Sequence, residues 1–238
     1  MQIEKTILST KELPENLLSN TIEGITLECI PFIKTIPLSE QAIADKIMAA
    51  NKGIQQAIFT SANAIEAVKN LPFFTSIHQF YTLSGNATQQ MLNEFAHQNA
   101  SIVTAPNAAQ LAERIIEQKL NQPIYFFCGN IRLDVLPKTL MAAGVHLMEI
   151  PVYHTHLTPQ FISKQYDGIL FFSPSAVESF FSVNSVPSHT VVCAIGDTTA
   201  ASLKKNCNNM VIISSSPNAN ILLQQASKFL NNKSISKQ

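Results

Sequence analysis

The sequence is short of charge, of arginine and of long apolar runs, and each shortage excludes something. Charged residues make up only 13% of the 238 positions, against about 25% in ordinary soluble domains. Hydrophobic residues make up 46%, too many for a chain disordered over most of its length. Lysine plus arginine equals aspartate plus glutamate, 16 of each, so no global field draws the chain to nucleic acid or to an anionic membrane. Arginine occurs only at Arg114 and Arg132, so a polyanionic ligand would have to be held by local groups. No apolar run approaches the roughly 18 to 20 residues of a membrane helix. The first residues, MQIEKTILSTKELPEN, lack a signal peptide's apolar segment, and the expected location is the cytoplasm.

Metal-binding and phosphate-binding motifs are also missing. Cys29, Cys128, Cys193 and Cys207 form no Cys-x-x-Cys pair. Three of them lie in or beside apolar runs, where a reduced thiol behaves as a small hydrophobe. His154 and His156 have no third ligand at a recognisable spacing, so no metal is expected. Neither a Gly-x-Gly-x-x-Gly loop nor a Walker loop occurs, and neither serine turn has the Gly-x-Ser-x-Gly elbow.

What is present is a duplication. FTSANAIEAV, residues 59–68, matches FFSPSAVESF, residues 171–180. LSGNATQQML, 83–92, matches AIGDTTAASL, 194–203, and both read strand, Gly-x-x-Thr, helix. A Pro-Asn pair then follows 21 residues after each glycine, at Pro106 and Pro217. IPFIKT, 30–35, matches IPVYHT, 150–155, and LPENL before the first parallels LPKTL before the second. The chain therefore reads as two copies of roughly 118 residues.

Each copy alternates short apolar strands with helices, the signature of parallel sheets covered on both faces. Strands are predicted near 5–9, 24–29, 56–60, 79–84, 101–104, 124–128, 145–150, 167–172, 190–195 and 210–213. Helices are predicted near 39–51, 63–70, 86–98, 107–120 and 131–143, with another ending in LPENL. The simplest assembly is an α/β protein of two similar lobes. Residues 1–33 and 155–238 form a discontinuous lobe and 36–151 a continuous one. Hinge strands at about 30–36 and 150–157 make a two-stranded β-linker, and the polar end NNKSISKQ is expected to fray.

In open parallel sheets ligands gather at the carboxyl ends of strands, where loops enter helices. The repeated motifs fall there: Ser61, Ala62 and Asn63; Ser84, Gly85 and Thr88; Ser173, Pro174 and Ser175; Gly196, Thr198 and Thr199; and the Pro-Asn pairs. A helix start offers unpaired N–H groups and partial positive charge, and so can hold a carboxylate without lysine. The same residue types are also ordinary helix caps, each worth about 1 kcal/mol. Cys128, Gly129 and Arg132 lie at another such loop, where Arg132 either reaches a ligand carboxylate or is a solvated helix residue. Tyr153 stands where the first copy has Ile33. It is either packing or a phenol able to donate a proton in a closed site.

The FTSANAIEAV, SGNAT, PVY, FFSPSAV and AIGDTTAASL segments, in this order, resemble the uroporphyrinogen-III synthase family over nearly the whole chain. The resemblance implies two α/β lobes on a β-linker. It also implies a reaction: hydroxymethylbilane, a linear tetrapyrrole with eight carboxylates, loses its hydroxyl and closes with inversion of the last ring through a spiro intermediate. No cofactor or metal is implied. By position Tyr153 becomes the general acid, while Thr88, Thr199, Ser61 and Ser173 line the substrate cleft. Two departures stand out, Ser84 before the first glycine and the scarcity of basic residues. The expected partners are the tetrapyrrole and, as upstream donor, hydroxymethylbilane synthase, with the chain a monomer. The alternatives are a non-catalytic two-lobed ligand-binding or sensor protein, and a phosphate-ester enzyme using the same helix starts.

Overall fold

The computed structural model describes residues 4–18, 24–49 and 53–235. The first elements are β1 (Lys5–Ser9), α1 (Glu15–Leu18), β2 (Ile25–Cys29), β3 (Ile33–Pro37) and α2 (Glu40–Ala49). Then come β4 (Gln56–Phe59), α3 (Ala62–Val68), a 3-10 turn (Pro72–Ser76), β5 (Gln79–Leu83), α4 (Ala87–Phe95), β6 (Ser101–Ala105) and α5 (Ala108–Glu117). The chain continues through β7 (Ile124–Gly129), α6 (Val135–Ala142) and β8 (Leu147–Leu157). It ends with β9 (Gly168–Phe171), α7 (Pro174–Phe181), β10 (Val191–Ala194), α8 (Asp197–Asn206), β11 (Val211–Ile213) and α9 (Ala219–Ile235).

Two compact units result, residues 1–34 with 156–238, and residues 35–155. The first contains a sheet in the order β11-β10-β9-β1-β2, joined throughout by parallel pairs. The second contains the order β3-β8-β7-β4-β5-β6, parallel from β8 to β6. By the sequence repeat, β4, β5 and β6 correspond to β9, β10 and β11, and β1 and β2 to β7 and β8. Both sheets therefore share one five-strand order, to which the second adds β3 beside β8, and each set of five is assembled from halves of different copies: two strands from one, three from the other.

Both faces of each sheet are buried, so successive residues of a strand enter opposite cores. In the second unit Phe59, Phe127 and Tyr125 join a core with Ile65 and Phe80, while Ile58 and Phe126 face one with Leu111 and Leu140. Phe59 and Phe127 lie on paired strands with stacked rings 5.0 Å apart. In the first unit Leu8 and Phe171 face one core, Ile7 and Leu170 the other. Each large side chain so buried contributes about 1.5–3 kcal/mol.

Four boundaries differ from expectation. The strand near 145–150 and the hinge segment near 150–157 are one continuous strand, β8, because Pro151 pairs with Cys128 at a register shift. Helix α6 begins only at Val135, since residues 130–134 form a loop with Asn130 and Arg132 committed elsewhere. The helix expected to end in LPENL begins inside that segment, as the four-residue α1, Glu15–Leu18; residues 19–23 lie outside the described residues. The tail expected to fray is helical to Ile235, because Leu222, Leu223, Ala226 and Leu230 bury one face of α9 against the core of the first sheet; residues 236–238 lie outside the described residues.

Candidate active site

Tyr153 reaches its position through an irregularity in the second sheet. The β7–β8 ladder shifts register between Cys128 and Gly129, so that Gly129 stands opposite Tyr153. The tyrosine is then 7% exposed and part of the core below it. A Cβ on Gly129 would lie 2.6 Å from Cε2 and Cζ of the ring and 2.9 Å from its hydroxyl. Glycine is required here for the space it leaves, which the phenol occupies.

Asn130 fixes the strand on either side of the tyrosine. Its N–H donates to the Tyr153 carbonyl at 3.2 Å, and its Oδ1 accepts from the Thr155 N–H at 2.7 Å. This residue was not among the expected site residues. The signal for it was an amide side chain directly after a glycine at a strand's carboxyl end, a place where the backbone bonds of a ladder run out.

The phenol donates to Oγ of Ser61 at 3.1 Å. Burial pushes the phenol above its ordinary pKa, with the Ser61 hydrogen bond working against that. Ser61 occupies the N-cap of α3 in extended backbone, yet its side chain makes no capping bond. Its counterpart Ser173 does cap: Oγ accepts from the Ala176 N–H at 3.1 Å, with Pro174 at the first helical position and the Ser175 hydroxyl 3.1 Å from that of Ser173. Two serines in the same motif thus do different work. Ala62 and Asn63 open α3, and Asn63 is exposed.

The two Gly-x-x-Thr turns differ in a similar way. Gly85 has φ +74, a conformation that glycine adopts without steric cost, and its N–H donates to Gln89 Oε1 at 2.7 Å. Asn86 accepts from the Gln89 N–H at 2.9 Å, completing a reciprocal cap of α4. The Ser84 backbone N–H continues the sheet to Ala105. In the other turn Gly196 is the N-cap of α8 with extended backbone, no side-chain cap and nothing within 4 Å of a Cβ placed on it. The first N–H groups of α8 therefore keep their hydrogen-bonding capacity. Thr88 is 3% and Thr199 1% exposed, and neither hydroxyl has a hydrogen-bond partner among the described residues, whereas Thr198 is exposed. Asn107 and Asn218 are caps, accepting from Gln110 and from Asn220 and Ile221.

Arg132 is already occupied. It forms ion pairs with Asp134, at 2.5 Å, and with Glu149. Cys128 beside it is buried, and burial pushes its thiol up to about 11, so it is neutral near pH 7. Burial likewise takes Cys193 up to about 12, and all four cysteines are free thiols. No helix among the described residues is long and apolar enough to cross a membrane.

In the second unit, then, Tyr153, Ser61, Gly129 and Cys128 converge on one end of the sheet. Arg132 stands beside Cys128 but faces acids of its own chain.

A family model described as uroporphyrinogen-III synthase HemD matches residues 19–224. Among solved structures, the fold is similar to that of uroporphyrinogen-III synthetase from Helicobacter pylori, with TM-score 0.64 and 18% identity over 94% of this chain and 99% of that one. It is similar to a mutant uroporphyrinogen III synthase from Thermus thermophilus, with TM-score 0.64 and 13% identity over 96% and 99% of the two chains. The wild-type Thermus thermophilus enzyme in another crystal form gives TM-score 0.51 and 16% identity over the same shares, 96% and 99%.

Proposed function

The chain belongs to the uroporphyrinogen-III synthase HemD family, and from that premise we propose how its residues divide the work. The activity is closure of hydroxymethylbilane to uroporphyrinogen III, with loss of water and inversion of the terminal ring, in tetrapyrrole biosynthesis. Family membership favours this enzyme over a sensor that merely binds a ligand.

Tyr153 acts as the general acid. Its proton passes to the hydroxyl of the substrate's hydroxymethyl group as the C–O bond breaks, and water leaves. The carbon so exposed is attacked by the substituted carbon of the last ring, giving a spiro intermediate. The bond from that carbon to its methylene bridge to the preceding ring then breaks, and the methylene carbon re-forms a bond at the last ring's unsubstituted α-carbon, which inverts the ring. The proton lost when that ring system regains aromaticity restores the phenol, so the sequence balances with water as the only leaving group. A phenol whose pKa is raised by burial stays protonated until the leaving oxygen takes the proton. Ser61 holds the phenol in one orientation.

The observation that carries this reading is the bond from Tyr153 to Ser61, together with the absence of a capping bond from that serine. A capping serine removed from capping duty and engaged by the one tyrosine of the IP-x-x-x-T segments is arranged for something other than helix stability.

The turns at Ser84, Gly85 and Thr88, and at Ser173, Ser175, Gly196, Thr198 and Thr199, take acetate and propionate carboxylates, largely through backbone N–H groups at helix starts. The uncapped start of α8 supports this most directly. Arg132 contributes by ordering the loop after β7 through Asp134 and Glu149. The reaction, a cyclising dehydration, calls for no cofactor. The substrate comes from hydroxymethylbilane synthase, and the enzyme works as a cytoplasmic monomer.

Because hydroxymethylbilane also closes spontaneously, without inversion, catalysis consists of both rate and geometry. The test is to supply hydroxymethylbilane and separate the isomers. Isomer III formed faster than the spontaneous reaction supports the reading, and isomer I alone at the spontaneous rate overturns it.

A further inference from the structure

The sequence is poor in basic residues, and the arginine closest to the site is neutralised within its own unit. The first unit, however, holds a cation that is not. Strand β1 ends at Ser9 beside β9, which leads into the Ser173 turn. Thr10 continues the pairing: its N–H and its hydroxyl both donate to the Leu170 carbonyl, at 3.0 and 2.8 Å. Ser9 Oγ then donates to the Lys11 carbonyl at 2.6 Å and accepts from the Lys11 N–H at 3.4 Å. These bonds fix the backbone of Lys11 at the carboxyl edge of the sheet.

The Lys11 ammonium lies 4.9 Å from the centroid of the Phe172 ring, and Phe172 immediately precedes Ser173. The ring faces a cation, a favourable electrostatic contact that also limits where the flexible stem can go. Lys11 has no carboxylate partner among the described residues, although Glu12 and Glu15 are close in sequence. Elsewhere in this unit Lys5 is paired with Asp167 and Lys164 with Glu28. In the corresponding loop of the second unit, Arg132 is paired twice. Lys11 is exposed, and the apolar surface beside its stem removes part of the water around the ammonium, which lowers its pKa.

We propose that Lys11 is a carboxylate-binding residue of the first unit, receiving one acetate or propionate group of the substrate next to the Ser173 turn. The inference rests on the reading that the substrate is hydroxymethylbilane. A carboxylate on the exposed side of the ammonium supplies the charge partner that the described residues do not, and the Phe172 ring holds the ammonium ready for it. Lysine acts here as a point charge on a steered stem, whereas the helix starts supply directed N–H groups. The two kinds of group together suit a ligand with many carboxylates and a protein with little charge.

The test is steady-state kinetics with hydroxymethylbilane, with isomer analysis, on the wild type and on Lys11→Gln and Lys11→Arg. A bound carboxylate predicts that Lys11→Gln raises KM by about tenfold. The isomer ratio and kcat stay near wild type, and Lys11→Arg brings KM most of the way back. Lys11→Met, which keeps the stem against Phe172, should raise KM as Lys11→Gln does if the first variant proves unstable. If the wild type makes isomer III and KM is unchanged in both neutral variants, Lys11 does not bind substrate, and the family reading stands without it. A KM defect that arginine does not rescue, with melting temperature lowered in parallel, also overturns the proposal by making the role structural. If the wild type makes isomer I alone, the reading and the proposal fall together.

Discussion

The hydroxyl of Tyr153 donates to the hydroxyl oxygen of Ser61 at 3.1 Å, joining β8 to the turn between β4 and α3. In the matching turn of the other copy, the Ser173 oxygen instead accepts from the Ala176 N–H. Sequence duplication set the same residue at both helix starts, and divergence at one position of the IP-x-x-x-T segment, isoleucine at 33 and tyrosine at 153, accompanies the change in what the first serine does.

This contrast bears on both stability and activity. Ser173→Ala removes a cap and should cost about 1 kcal/mol in urea denaturation. Ser61→Ala removes no cap but takes away the hydrogen-bond partner of the largely buried Tyr153 phenol, and should also cost about 1 kcal/mol. It should in addition lower kcat by about tenfold, the equivalent of one hydrogen bond that orients the phenol. A wild-type kcat in folded Ser61→Ala would contradict the assignment.

Gly129→Ala tests the space beneath the phenol. The added Cβ would stand 2.6 Å from the ring, at the register shift between β7 and β8, so the tyrosine must move. The expected cost is about 1–3 kcal/mol of stability, from overpacking. Activity should fall at a temperature where the variant remains fully folded. Full activity in the folded variant would show that the position of Tyr153 is not critical.

The duplication made much of the fold legible. Apolar strands running into Ser or Gly turns at constant spacing defined parallel sheets and located the carboxyl edge where the expected site residues lie. Pro151 obscured the continuity of β8, because proline ordinarily interrupts a strand, and here a register shift accommodates it. The polar letters of NNKSI hid the end of α9, whose hold on the core comes from Leu222, Leu223, Ala226 and Leu230 upstream. The candidate site was legible as positions but not as roles. Ser61 and Ser173 are indistinguishable by motif, and only the tyrosine 92 residues away separates them. The pairing of Arg132 with Glu149 and the approach of Lys11 to Phe172 likewise depend on chain segments that sequence spacing does not connect.

Asp167 gives a pH dependence of stability. Partial burial alone would raise its pKa, but the Thr6 N–H at 2.9 Å and the Lys5 ammonium at 3.0 Å together outweigh this and hold it below the ordinary carboxylate value. A carboxyl depressed in the folded state adds stability above its unfolded pKa and loses that contribution as pH falls through its folded pKa. Wild-type stability should therefore fall as pH drops below about 4, and Asp167→Asn should show a shallower fall over that window. Urea unfolding of both proteins across this range checks it; identical slopes would remove Asp167 from the account.

The most direct test of the central claim is the rate at which Tyr153→Phe converts hydroxymethylbilane to isomer III. The ring, its packing and its fit over Gly129 are kept, and only the proton donor is lost. Tyr153→Phe should remain folded and form isomer III at a rate about 10²-fold or more below wild type, with spontaneous isomer I accumulating in its place. Isomer III at the wild-type rate would contradict the assignment of Tyr153 as the general acid.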